Sequence, residues 1–206
     1  MSISEMFSAV WAFFSGIPNL LPVTVFSAVA LFVFKETLEG LRRRKANKRK
    51  RRAMRRMLKD ELERNKWTLR SLHDCVNTLE SIQHRPTATL VVRESPMGGR
   101  FMRIEGPNDY AQHPIPKIHS DFLKSNILEV ALNDEEVFEE ALGAIDAIAE
   151  MEHVLKSILE YAEDQEATGL EGFPDYAHKE LDDCEATLAA VYTKLTGKPY
   201  EEFRLR

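Results

Sequence analysis

From Met6 through Phe34 the chain carries no charged side chain, and Ile17–Phe34 within that window is almost wholly apolar. An uncharged run this long constrains the fold more than any other feature, because it must be hidden from water in a membrane or in a core. As a helix, Ile17–Phe34 would rise about 27 Å, close to the roughly 30 Å hydrocarbon thickness of a bilayer. The run therefore predicts a transmembrane anchor over about 17–34. Ser15-Gly16, Pro18 and Pro22 divide the window. Met6–Phe14, with Phe7, Trp11, Phe13 and Phe14, reads as a short helix at the outer interface, where aromatic rings are favoured.

A cleavable signal peptide carries its positive charge ahead of the apolar run, whereas here Met-Ser-Ile-Ser-Glu precedes it and the cations follow. Arg42, Arg43, Arg44, Lys45, Lys48, Arg49, Lys50, Arg51, Arg52, Arg55 and Arg56 form a block with no acid among them. By the positive-inside rule the expectation is an uncleaved single-pass protein of the cell inner (plasma) membrane. Its N-terminus would lie outside and its C-terminal domain in the cytoplasm. Placed just below a bilayer, the block would contact anionic lipids, each cation near the surface contributing about 1 kcal/mol. Nucleic acid is the less favoured partner, because no aromatic residue interrupts the block to stack on bases.

The charge of −5 conceals this asymmetry. Residues 1–59 hold thirteen of the 28 basic and three of the 33 acidic side chains, a net of +10, so residues 60–206 carry −15. Three segments follow: 1–34, the interfacial segment and anchor; 35–59, the polybasic juxtamembrane segment; and 60–206, an acidic domain. In that domain Met54, Leu58, Leu62, Asn65, Leu69, Leu72, Val76, Leu79 and Ile82 recur at helical spacing, on a helix that rises directly from the basic segment. Asn65 interrupts the stripe, as a polar residue that sets register in a helix seam does.

After Arg85-Pro86 the period changes. Thr87–Arg93 and Arg100–Glu105, separated by Glu94-Ser-Pro-Met-Gly-Gly99, predict a β-hairpin or extended loop over about 87–105, followed by an irregular stretch to Pro116. A short helix is predicted over His119–Leu132. A long helix opened by Asn133-Asp-Glu-Glu136 should end near Gln165, and a last one runs from about Pro174 to Leu195 before Gly197-Lys-Pro199. The expected fold class is mainly α: one N-terminal transmembrane helix, then an antiparallel cytoplasmic helix bundle carrying one hairpin.

Asp60-Glu-Leu-Glu-Arg-Asn65, Phe122-Leu-Lys-Ser-Asn-Ile-Leu128 and Asn133-Asp-Glu-Glu-Val-Phe138 carry a resemblance. In their order the chain resembles a loose group of small, uncharacterised bacterial membrane-anchored helical proteins, with an anchor, a basic helix running into a Glu-x-x-x-Asn stretch, and a later helix opened by Asp-Glu-Glu. The resemblance implies no catalytic activity.

No phosphate-binding glycine loop, nucleophile elbow or paired metal-ligand motif occurs, so no catalytic residue, metal site or cofactor is assigned. Cys75 and Cys184 lack a Cys-x-x-Cys spacing and read as reduced core residues. Gly98-Gly99 beside Arg93, Arg100 and Arg103 is a candidate anion or ligand loop, set against a plain hairpin turn with solvated cations. The leading expectation is a membrane-anchored interaction or sensing module. Its partners would be anionic membrane lipids and an unidentified protein, and the Leu181/Cys184/Leu188/Val191/Leu195 spacing suits a homo-oligomer seam as well as an internal one. The alternatives are a membrane-perturbing effector, an enzyme with a site around Arg93, Arg100, Arg103, His113 and His119, and a membrane-tethered nucleic-acid binder.

Overall fold

The computed structural model describes residues 23–83, 88–96, 98–106, 109–163 and 172–201. Its elements are α1 (Val23–Gln83), β1 (Thr89–Glu94), β2 (Arg100–Gly106), β3 (Asp109–Pro114), α2 (Asp121–Asn133), α3 (Glu135–Glu163) and α4 (Phe173–Thr196). Two compact units are formed, Met1–Arg49 and Lys50–Arg206, and α1 belongs to both.

The expected transmembrane helix is corrected by this structure. Among the described residues no helix is long and apolar enough to cross a membrane. The apolar part of α1 is Val23–Phe34, twelve residues rising about 18 Å against a hydrocarbon core of roughly 30 Å. Within the described residues it lengthens only toward Lys35, Glu36 and Glu39, whose charges are costly at membrane depth. The single-pass topology and the inner-membrane location with the N-terminus outside, which rested on that span, are corrected with it. The interfacial segment Met6–Phe14 and residues 17–22 of the expected span lie outside the described residues.

In the first unit, residues 23–49 are helical, with Val29, Leu31, Phe32, Phe34, Leu38 and Leu41 exposed. The second unit is held by apolar stripes of the kind the spacing predicts. Leu58, Leu62, Leu69, Leu72, Val76 and Leu79 of α1 meet Val137, Ala141, Ile148, Met151 and Ile158 of α3 and Leu181, Leu188 and Val191 of α4 in one buried core. Each such large side chain contributes about 1.5–3 kcal/mol on leaving water.

Polar contacts set the helix directions. Along α1 and α2, Asn65 meets His119 and Glu61 meets Phe122, so these two run antiparallel. Lys194 bonds Glu140, Cys184 bonds the Ala147 carbonyl at 3.2 Å and Tyr176 bonds Glu150 at 2.8 Å, which makes α3 and α4 antiparallel. Tyr192 bonds Glu63 at 3.0 Å while His73 meets His178, so α4 also opposes α1. The helix order is therefore up, down, up, down. Gly197, with φ 68°, closes α4 in the left-handed conformation that glycine adopts without strain.

The sheet has the order β1-β2-β3 with both pairs antiparallel. Leu90 pairs with Ile104 and Val92 with Met102, and Leu90, Met102 and Ile104 are buried against the helices, β1 lying on α3. The hairpin turn is closed by Ser95 N–H to Gly99 O at 2.6 Å and Gly98 N–H to Ser95 O at 2.9 Å. The sequence predicted irregular chain where β3 lies. Asp-Tyr-Ala-Gln-His-Pro offers no alternation of apolar residues, and Pro114 is admitted because it ends an edge strand. The Ile115 N–H then bonds Arg100 O at 2.9 Å, delivering the chain to α2.

Candidate functional site

The polybasic block is divided by what its side chains meet. In the first unit, Arg42, Arg43, Arg44, Lys45, Lys48 and Arg49 are all exposed on α1, and Arg43 lies 3.5 Å from Glu39. In the second unit Arg52 and Arg56 are exposed, while Lys50, Arg51 and Arg55 are turned onto acids at the α2–α3 junction. Lys50 pairs with Glu129. Arg55 holds Asp134 through Nε and through Nη2, the latter at 2.9 Å, and Arg51 Nη2 reaches the same carboxylate at 2.6 Å.

Asp134 is 4% exposed. Its burial by itself would raise the carboxyl pKa, but hydrogen bonds and charge from Arg55 and Arg51 outweigh that and hold it below the ordinary carboxylate range. Glu136 completes the cluster at 2.6 Å from Arg51 and 3.2 Å from Arg55. In sequence Asp134 and Glu136 look like acids that start α3. Their arginine partners lie about 80 residues away, and no local signal names them.

The hairpin residues converge on an acid of their own. Arg93 and Arg103 lie 3.4 and 3.7 Å from the same Glu105 oxygen, Arg103 being opposite Val91 and Arg93 opposite Phe101. Arg100 is exposed and stands opposite Glu94 at the hairpin end. Gly98 has φ 86°, where an L side chain would be strained, and Gly99 follows it in open space. Glu105 thus supplies an internal counter-charge beside two of the three arginines.

A concave site lies between α1 and α2. Three α1 side chains at helical spacing reach across to the chain entering α2. Glu61 accepts the Phe122 and Leu123 N–H groups at 2.7 and 3.1 Å. Asn65 takes both polar groups of one residue, donating to His119 O at 2.6 Å and accepting from His119 N–H at 2.9 Å. Thr68 donates to Lys117 O at 2.8 Å. The first N–H groups of a helix have no intrahelical acceptor. Ser120 precedes α2 without a side-chain capping bond, its hydroxyl meeting Glu152 instead, so Glu61 serves as a cap supplied by another helix.

Beside this clamp is a recess of about 420 Å³, bordered by Met57, Asp60, Arg64, His119, Asp121, Phe122, Ser125 and Asn126. Burial, then the Arg64 and Lys117 charges, lower the His119 pKa against the raising effect of Asp121, so the imidazole is neutral near pH 7. His113, which shares its loop in sequence, ends up on β3 opposite Met102. Sequence spacing places Asn65 in the helix seam but carries no sign that it binds backbone 54 residues away.

Both cysteines are buried and free. Burial pushes the Cys75 thiol up to about 12 and the Cys184 thiol to about 11, so neither is a nucleophile at neutral pH. His73 and His178 bring their Nδ1 atoms to 2.9 Å, with ring planes 12° apart and centroids at 5.1 Å. The rings meet edge to edge, one Nδ1–H donating to the other lone pair, which requires at least one neutral imidazole. Among the described residues no group of three or more His, Cys, Asp or Glu side chains could hold a metal ion. No protein-family model, curated protein or solved structure matches this chain.

Proposed function

We propose that the chain is an interaction module without catalytic activity of its own, which binds clustered phosphate groups on a partner through Arg42–Arg49 of α1. The observation that supports this reading is the exposure of six cations within eight helical residues, with one acidic neighbour, Glu39, beside Arg43. So dense a like charge on one helix opposes its own folding, and a polyanion relieves that repulsion as it binds. The cations point to all sides of the helix, so charge and not shape governs the contact. Lys50, Arg51 and Arg55 are engaged with Glu129, Asp134 and Glu136 and hold the other unit together.

The test uses the full chain against anionic phospholipid vesicles and against duplex oligonucleotide, each at stepped salt. For the duplex, the logarithm of the binding constant should fall with that of salt by about 0.9 per phosphate contacted. For vesicles, two or three facing cations contribute about 1 kcal/mol each. Reversing Arg44, Lys45 and Lys48 to Glu should abolish binding while helicity is kept. Tighter binding to vesicles assigns phospholipid headgroups, and tighter binding to duplex assigns nucleic acid. Failure to bind either, or binding unchanged by the reversals, overturns the reading.

A further inference from the structure

The recess between α1 and α2 is bordered by charged side chains that form no salt bridge among the described residues. Asp60 and Arg64 stand at i and i+4 on α1, the spacing at which an acid and a base on an exposed face ordinarily pair. Asp121 faces the same recess from the first turn of α2. Among the described residues none of the three has an ion-pair partner. Glu61, the remaining acid at the rim, is committed to the Phe122 and Leu123 N–H groups. Met57 and Phe122 supply apolar surface, and Ser125 adds an exposed hydroxyl.

A recess with one free cation, two free carboxylates and an apolar wall is complementary to a molecule that carries both charges on an apolar body. A simple anion would meet Arg64 but also the two carboxylates, and a simple cation would leave Arg64 opposed by the ligand. We propose that this recess binds a small zwitterion, an amino carboxylate with an apolar side chain. Its carboxylate lies on the Arg64 guanidinium, its ammonium between Asp60 and Asp121, and its side chain against Met57 and Phe122. The volume of about 420 Å³ falls within the range of small-molecule sites, about 300–1,000 Å³. Such a ligand touches α1 and the start of α2 together, alongside the contacts made by Glu61 and Asn65, so its binding stabilises the docking of α2. The site is independent of the phosphate-binding reading, since no residue is shared.

The probes are L-leucine and L-methionine, titrated into the full chain by calorimetry and followed by thermal unfolding. L-leucinamide, which lacks the carboxylate, and 4-methylpentanoate, which lacks the ammonium, serve as single-charge controls. The expected result is saturable binding of the amino acids with a rise in Tm. Each control should bind roughly tenfold or more weakly, because each forgoes a charge-assisted bond. Arg64→Gln and Asp121→Asn, both at exposed positions, should weaken leucine by a similar factor; Arg64→Gln should leave the Tm without ligand unchanged, while Asp121→Asn should lower it slightly by removing an acid from the first turn of α2. No saturable binding of either amino acid overturns the proposal. So does equal binding of leucine and either control, or leucine binding that survives both substitutions.

Discussion

Asn65 is fully buried and meets both backbone groups of His119, and replacing it distinguishes two roles for a polar residue in an apolar stripe. Asn65→Ala orphans the His119 N–H and C=O, at roughly 1–3 kcal/mol each where water cannot replace the lost bond. His119 is half-buried, so solvent recovers part of this, and alanine returns up to about 0.7 kcal/mol of helix propensity. The expected net loss is about 2 kcal/mol. For a unit of this size that is a Tm lower by about 4–8 °C, or a lower urea midpoint at unchanged m-value. Asn65→Leu separates the alternatives. If Asn65 only sets register in a helix seam, leucine should fill the stripe and raise stability. If it holds His119, leucine orphans the same two groups and the gain from its burial offsets only part of the loss. An Asn65→Leu midpoint at or above wild type would refute the clamp.

Three further outcomes are expected. Because the Asp134 pKa is depressed in the folded state, its stabilisation is complete above the ordinary carboxylate pKa of about 3.9 and is lost as pH falls through the lower folded value. Urea midpoints across pH 3–7 should therefore fall less steeply on the acid side for Asp134→Asn than for wild type. Burial, then the His178 charge, lower the His73 pKa, while Asp182, Glu185 and Asp74 act in the opposite direction. The net lowering makes His73 a group whose stabilisation is full above about pH 6.5 and declines below it, so His73→Gln should flatten the change in midpoint between pH 7 and 5. Finally, Cys75 and Cys184, with thiols pushed up to about 12 and about 11, should resist alkylation at pH 8 in the folded chain and react promptly in urea. Prompt labelling under native conditions would show that their environment is open.

The helices of the second unit were legible from sequence because their signal is local. Leu58, Leu62, Leu69 and Leu72 repeat at the helical period and are buried on that account. The hairpin was legible from its alternation and its Gly98-Gly99 turn, whereas β3 was not, since pairing with β2 supports a strand that has no apolar pattern of its own. Hydropathy found the uncharged stretch before Lys35, but its described helical part, Val23–Phe34, falls short of a membrane span. The concave site was invisible for a different reason. Glu61 and Asn65 act on main-chain groups of Phe122, Leu123 and His119, and backbone atoms leave no trace in side-chain identity. Asp134 was misleading in the same sense, reading as a helix-start acid while its carboxylate is held by Arg51 and Arg55.

The cap that Glu61 places on α2 bears on how the chain opens. A helix of thirteen residues is marginal by itself in water, and the acceptor for its leading amides belongs to a helix about sixty residues earlier. Local opening of α1 around Glu61 should therefore release the first turn of α2, and the two segments are expected to exchange their amide hydrogens as one cooperative unit despite their separation along the chain. On that expectation the amide protons of Phe122 and Leu123 would report on a helix to which they do not belong.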